Sequence, residues 1–305
     1  RTSINVVSVG GLERARCQTG AGTVDREAVQ KAEAWLAAKA RQSLHRRAPV
    51  VRARRVERPR VVDGLPHDWP DEPDARLEDG RASFRIAHDD HHLYALWEVR
   101  DCGPFLNEGA DWRRLFKSGA IVDLMLGADM KAEPARDVPV AGDQRLVIAP
   151  FEGKPVAVLY RPGAADSGDH TPWEARTEVA QTRFDDVRML DDVRIAIQTS
   201  REDPSRYAVE LAVPLQALGV AVGAQPARLR FDWGVQEVDV NGNAVFQRLY
   251  WANRAARTVA DEASEARLQP AQWGDLLTPS AKPPPSLPGI EPVGLSETDL
   301  MELLE

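Results

Sequence analysis

Two cysteines in 305 residues, Cys17 and Cys102, are too few for a disulfide framework and leave either one bridge or two free thiols. No Cys-x-x-Cys-His is present, which excludes covalent c-type haem attachment. Long apolar runs are missing too. Nothing approaches the roughly 20 residues needed to cross a bilayer as a helix. Positive charge is in deficit: 39 Lys and Arg face 47 Asp and Glu, for a net charge of −8. That argues against nucleic acid as a partner. The chain lacks the Gly-x-x-x-x-Gly-Lys-Ser/Thr phosphate loop, a Gly-x-Gly-x-x-Gly after a strand, the Gly-x-Ser-x-Gly elbow and His-Glu-x-x-His. No nucleophile–base arrangement stands out, so a non-catalytic protein is expected. No repeat recurs at a 20–50-residue period. The chain opens at Arg1 and has no apolar signal core near its start, so it is expected to be processed or part of something longer.

What is present is ordinary for a globular protein: 43% hydrophobic and 28% charged residues. The length suits one large or two modest units. Residues 4–9 predict a short strand. Ala28, Val29, Ala32, Trp35, Leu36 and Ala40 fall at helical spacing, with Asp25 as N-cap and Arg41, Arg46 and Arg47 at the basic end. Residues 39–60 then hold nine Lys and Arg against a single acid, Glu57. This segment is expected to be a connector lying against an acidic domain.

Residues 61–277 are dominated by period-two segments. Phe84 and Ile86 alternate with polar neighbours, and Leu93, Ala95, Trp97 and Val99 form one face of the next strand. Residues 145–149 and 156–160 flank Glu152-Gly153-Lys154, a hairpin pattern. Val193, Ile195 and Ile197 alternate, as do Tyr207, Val209, Leu211 and Val213. Pro214-Leu215-Gln216-Ala217-Leu218-Gly219 suits one helical turn stopped by glycine. Leu229, Phe231, Trp233 and Val235 precede the turn Asn241-Gly242, which leads into residues 246–251. About nine or ten sequential strands with little helix predict a mainly β protein, an antiparallel β-sandwich of jelly-roll type. Three regions follow: an N-terminal strand, helix and basic connector at 1–60, the sandwich at 61–277, and a Pro-rich tail at 278–305. The tail ends in Ser296-Glu297-Thr298-Asp299 and Leu300, Met301, Leu303 and Leu304, a capped helix too short to be stable alone. Residues 279–305 therefore dock either on this protein or on a protein partner.

Several residues are candidates for chemistry. Asp123 falls inside an apolar strand and needs an Arg, a cation or a ligand hydroxyl as partner; Asp232, between Phe231 and Trp233, poses the same question. His88, His91 and His92 surround one turn, a spacing that either grips a transition metal or is simply solvated. Among eight tryptophans, Trp112, Trp173 and Trp251 stand in polar surroundings, where an exposed indole marks a binding surface. Trp97 and Trp233 suit buried strand faces.

Val62-Asp63-Gly64 with Asp68-Trp69, the strands at 93–101 and 120–126, the segment 207–214 with its turn, and Trp273-Gly274-Asp275-Leu276 occur in an order that resembles family 9 carbohydrate-binding modules and the related DOMON-type sandwiches. The long 145–161 hairpin resembles a divergent bacterial branch. The resemblance implies a carbohydrate-binding module in which Trp112 and Trp251 clamp a sugar while Asp123 contacts its hydroxyls; Trp173, as an exposed indole, and Asn253, in the turn after Trp251, are further candidates for the site. It implies an extracellular or periplasmic setting. It also implies structural calcium, for which Asp89, Asp90 and Asp101 are candidates. Two departures are visible: a longer stretch between Trp112 and Asp123, and Ala252-Asn253 in place of a more acidic turn. A structural or assembly subunit docking through its termini is the second reading. A haem-b electron-transfer domain is the third, with Met125, His88 or Lys117 as axial ligands, although Met125 reads first as a packing residue.

Overall fold

The computed structural model describes residues 2–9, 12–19, 48–163, 171–178, 180–220 and 227–278. The helix expected from Asp25 and the tail at 279–305 lie outside the described residues. The chain divides into two units, the larger being Ala48–Lys282. In the smaller, β1 (Thr2–Val9) pairs antiparallel with β2 (Leu12–Thr19). The first strand includes the expected 4–9; the second, which follows it, was not expected.

The larger unit is mainly β: an antiparallel β-sandwich. Its strands are β3 (Val50–Arg52), β4 (Arg54–Arg55), β5 (Ala75–Arg76), β6 (Ala82–His88), β7 (His92–Val99), β8 (Val122–Gly127), β9 (Asp143–Phe151) and β10 (Lys154–Arg161). They continue with β11 (Trp173–Arg176), β12 (Gln181–Phe184), β13 (Asp186–Met189), β14 (Arg194–Thr199), β15 (Tyr207–Pro214), β16 (Arg228–Val238), β17 (Val245–Tyr250) and β18 (Gly274–Leu277). One sheet has eight strands in the order β13-β10-β9-β8-β16-β18-β3, with β17 beside β18 on the same edge of β16. The other has six, β14-β15-β7-β6-β4, with β5 also on β6. The hairpin β11–β12 stands apart.

The basic segment is not simply a connector. Strand β3 pairs in parallel with β18 of the large sheet, and β4 pairs in parallel with β6 of the small one. Residues 50–55 thus cross from one layer to the other along an edge, so the sandwich takes in chain that lies before residue 61. Val51 and Ala53 are buried while Arg52, Arg54 and Arg55 face outward.

The core lies between the sheets. Phe84, Ile86, Leu93, Ala95, Trp97, Val209 and Leu211 from the small sheet meet Leu124, Leu126, Leu146, Ile148, Phe231 and Trp233 from the large one. Phe84 joins the layers at the centre, stacked on Trp233 at 5.0 Å and edge-on to Trp97 at 5.2 Å. Such aromatic pairs contribute about 0.5–1.5 kcal/mol beyond their area.

Both outer faces are covered as well. On the small sheet, Ala87, Tyr94, Leu96 and Ala212 lie beneath Trp69, with Val56 and Val62 alongside. A buried carboxylate fastens this cover. Glu210 accepts the Asp63 and Gly64 backbone N–H at 2.9 and 2.8 Å and the Trp69 indole N–H at 2.8 Å. Gly64 has φ +78, and a Cβ added there would stand 2.8 Å from Gln198 Cγ, so a side chain would be both strained and obstructed. The Val-Asp-Gly and Asp-Trp motif is therefore a clasp on Glu210.

On the large sheet, Met125, Val147, Val158, Tyr160 and Tyr250 lie beneath a second cover. It consists of α1 (Leu115–Ser118), the hairpin β11–β12, α2 (Glu262–Ala266) and Trp273.

Candidate functional site

The outer face of the large sheet carries a row of polar side chains set by strand register. Tyr250 on β17, Gly234 on β16 and Asp123 on β8 are successive partners across three strands. The Tyr250 ring lies directly over Gly234, where an added Cβ would stand 2.4 Å from Cδ1. The glycine lets the tyrosine reach across to Asp123, whose Oδ2 accepts its hydroxyl at 3.1 Å. Arg145, one register step away opposite Met125, donates to the same Oδ2 from Nε at 2.9 Å. Asp123 and Arg145 are each only 1% exposed. Burial works against the Arg145 charge, yet Tyr250 and Asp123 raise its pKa above the ordinary arginine value. Of the partners open to Asp123, the structure supplies an internal arginine.

Asp232 meets its need differently. Its carboxylate accepts the backbone N–H of Trp233 at 2.9 Å, Ala252 at 2.8 Å and Asn253 at 2.9 Å. Burial pushes its pKa up to about 7 against those donors, with the charge of Asp123 adding to the rise. It thereby fixes the turn that follows Trp251.

Trp251 is half-buried. Its indole packs on Phe231 at 6.4 Å and against Gly274, where a Cβ would lie 2.5 Å from the ring. It lines a shallow surface dent of about 10 Å³, the room of a single water, with Leu77, Glu78, Asp79, Tyr250, Arg254 and Arg257. Arg254 and Arg257 both reach Glu78, at 3.0 and 3.6 Å, with all three side chains largely exposed. Pairs this exposed contribute little, about 0–1 kcal/mol, so these groups can exchange partners. Burial alone would raise Asp79, but the Arg81 backbone N–H and guanidinium hold its carboxyl below the usual range, helped by Arg257. An aromatic face beside charged donors and acceptors suits a ligand that is apolar on one side and hydroxylated at its rim. Glu78, Arg254 and Arg257 carry no sequence signal, because β17 and the loop before β6 bring them together from distant positions.

The other candidates fall elsewhere. Trp112 is half-buried against the outer cluster of the large sheet, whereas Trp251 packs on the inter-sheet core. Trp173 is not exposed as expected: it is 8% exposed and packs edge-on to Phe116 at 5.8 Å. Asn253 is 5% exposed and its amide donates to Gln269 at 2.7 Å. Asp123, expected to meet hydroxyls, is sealed beneath the cover.

The calcium candidates do not converge. Asp89 and Asp90 precede β7 and Asp101 follows it, so the whole strand, at about 3.3 Å per residue, separates them. Asp89 is occupied by the His91 and His92 backbone N–H, each at 2.7 Å, and by the Tyr94 hydroxyl at 2.6 Å. Asp90 pairs with Arg55. Among the described residues no group of three His, Cys, Asp or Glu is placed to hold a metal ion. Met125 lies on the outer face of the large sheet, His88 lines a small apolar space between the sheets, and Lys117 is bonded to Glu265 at 2.9 Å. The three proposed haem ligands therefore face different surroundings. Cys102 is a free, buried thiol.

Fold and depression together define an antiparallel β-sandwich with an aromatic, polar-rimmed hollow at one edge of the large sheet. No protein-family model matches the chain, and no curated protein matches it. Among solved structures, the chain is similar in fold to a family 9 carbohydrate-binding module from Caldicellulosiruptor kristjanssonii in complex with glucose. The identity is 14%, over 77% of this chain and 97% of that one, with a TM-score of 0.46. It is similar also to a family 9 module from the same organism in complex with cellotriose, at 14% identity over 80% of this chain and 100% of that one, TM-score 0.46. Among the described residues no helix is long and apolar enough to cross a membrane.

Proposed function

We propose that this protein is a non-catalytic carbohydrate-binding module of an extracellular or periplasmic setting, and that its sugar rests on Trp251. The observation that carries the reading is the indole and its polar surroundings. A half-buried indole is held by Phe231 and Gly274, with Glu78, Asp79, Arg254 and Arg257 around it. Sugar rings present apolar C–H faces to an indole and hydroxyls to its charged neighbours, so this arrangement fits a pyranose better than a flat or strongly ionic ligand.

Calorimetric titration with mono- and oligosaccharides, glucose and cellotriose first, tests it. Trp251→Ala is expected to weaken binding at least about tenfold, equivalent to about 1.4 kcal/mol. Trp112→Ala, in a different cluster, is expected to leave affinity within about twofold of wild type, given that packing residues outside a site contribute little to it. Equal losses from both substitutions would instead make the two indoles one clamp. No binding across the panel, or binding untouched by Trp251→Ala, would overturn the proposal.

A further inference from the structure

Residues 252–269 run as a strap over the outer face of the large sheet, and their attachment is almost entirely polar. Asp261 caps α2 by accepting the Ser264 backbone N–H at 3.1 Å and also accepts the Thr177 hydroxyl at 3.1 Å. The Thr182 hydroxyl donates to the Ala263 carbonyl at 2.7 Å. Arg145 and Arg248 both donate to the Glu265 carbonyl at 3.1 Å, and Lys117 donates to the Glu265 carboxylate at 2.9 Å. The buried apolar side chains of the strap are only Ala263, Ala266 and Leu268. Segments fastened by hydrogen bonds with little apolar burial belong to the low-stability end of a structure and open locally.

Beneath the strap the face is polar and incompletely satisfied. On the face, Asp123 Oδ1, Gln236 Oε1 and Arg248 Nε are buried without a hydrogen-bond partner, and so, on the strap and the cover that meet it, are Asn253 Oδ1, Glu265 Oε2 and Trp273 Nε1. Each of these residues is at most 6% exposed. Buried polar groups are normally paired, so this concentration between the face and the segments over it calls for a partner that the closed form does not supply. Four of the atoms are acceptors and two are donors, the mixture a set of hydroxyls satisfies. The ionic groups nearly balance, with Asp123, Asp232 and Glu265 against Arg145, Arg248 and Lys117, which favours a neutral ligand over an ion. The face is also continuous with the hollow above, since Tyr250 both lines that hollow and donates to Asp123.

We propose that this covered face is a second binding surface, opened when the strap lifts, which takes the hydroxyls of an oligosaccharide whose first ring lies on Trp251. It rests on the reading that the Trp251 hollow binds sugar. The test uses glucose and cellotriose as probes and the full chain. In the free wild-type protein, amides of α2 are expected to exchange hydrogen at least about 100-fold faster than those of β8 and β16, and cellotriose to slow them. The variant T177C/D261C places thiols where Thr177 and Asp261 now touch. Oxidised, it is expected to lose at least about tenfold in cellotriose affinity, recovered on reduction, while glucose binding is unchanged. T182V removes one fastening without a cross-link and is expected to accelerate strap exchange. Strap amides that exchange no faster than the sheet, or cellotriose affinity indifferent to the lock, would overturn the proposal while leaving the Trp251 site standing. Failure of the wild type to bind either sugar would remove both.

Discussion

Removing one member of the Asp123–Arg145 pair is expected to cost far more than removing both. Arg145 Nη2 stands 2.7 Å from Asp123 Oδ2, and both side chains are 1% exposed. In Arg145→Met, the Asp123 carboxylate stays buried with only the Tyr250 hydroxyl on Oδ2, since Oδ1 already has no partner. In Asp123→Leu, the guanidinium stays buried with the Glu265 carbonyl and Tyr250 for company. An uncompensated buried charge costs about 3–5 kcal/mol. For a unit of roughly 230 residues, at about 2.1 cal/mol/K per residue, 4 kcal/mol corresponds to a fall in melting temperature of about 8 °C. The double variant D123L/R145M removes both charges and keeps similar volume, so it is expected within about 1–2 kcal/mol of wild type. Urea denaturation midpoints of the four proteins at pH 7 measure the coupling directly. Single variants costing under about 1 kcal/mol, or a double variant equal to their sum, would refute the view that this is a closed internal pair.

Asp232 supplies a pH signature. Folded, it holds its proton up to about pH 7 and unfolded only to about 3.8, so its contribution to stability is complete below about pH 4 and is lost as pH rises toward 7. Asp232→Asn is expected to flatten that decline in denaturant midpoints collected across the range, and an unaltered profile would place the titration elsewhere. Gly234→Ala sets a methyl group against the Tyr250 ring and is expected to destabilise by about 1–3 kcal/mol, with loss of the Tyr250–Asp123 contact visible in a crystal structure. Trp173→Ala truncates a packed aromatic and is expected to cost about 3–5 kcal/mol while leaving sugar affinity unchanged, a pairing that thermal melts and calorimetry separate.

The sandwich was legible in the residues because its signals are local and periodic. Leu93, Ala95, Trp97 and Val99 alternate, and all four enter the inter-sheet core. Glu152 and Gly153 fit a tight hairpin turn, and both take positive φ, 49° and 75°. Asn241-Gly242 likewise sits in the turn between β16 and β17, with Gly242 at φ 71. That alternation left the other face of the strand undetermined. Tyr94 and Leu96, on the opposite face of β7, are as buried as their neighbours, because Trp69 and its clasp cover them. The strand pair inside residues 50–55 was hidden by arginines whose stems and charges face out while Val51 and Ala53 face in.

The site was less legible for a reason that follows from the same physics. Period-two patterning tells which side chains share a face of a strand, not what lies on top of that face. The need of Asp123 for a partner was evident from its apolar strand, but Arg145 became that partner only through the register Met125↔Arg145. Trp173, in Thr171-Pro172-Trp173-Glu174, has polar neighbours in sequence and aromatic ones in space, because the β11–β12 hairpin turns its indole onto Phe116 and Phe184. The strap carries one local mark, the Asp261 cap three residues before Ser264, too slight to reveal a cover that buries Asp123. Exposure, on which any binding role depends, is thus decided by segments remote in sequence from the residues they cover. Trp251 stays half-buried, with its indole packed on Phe231 and Gly274, while Arg254 and Arg257 reach Glu78, a partner remote in sequence.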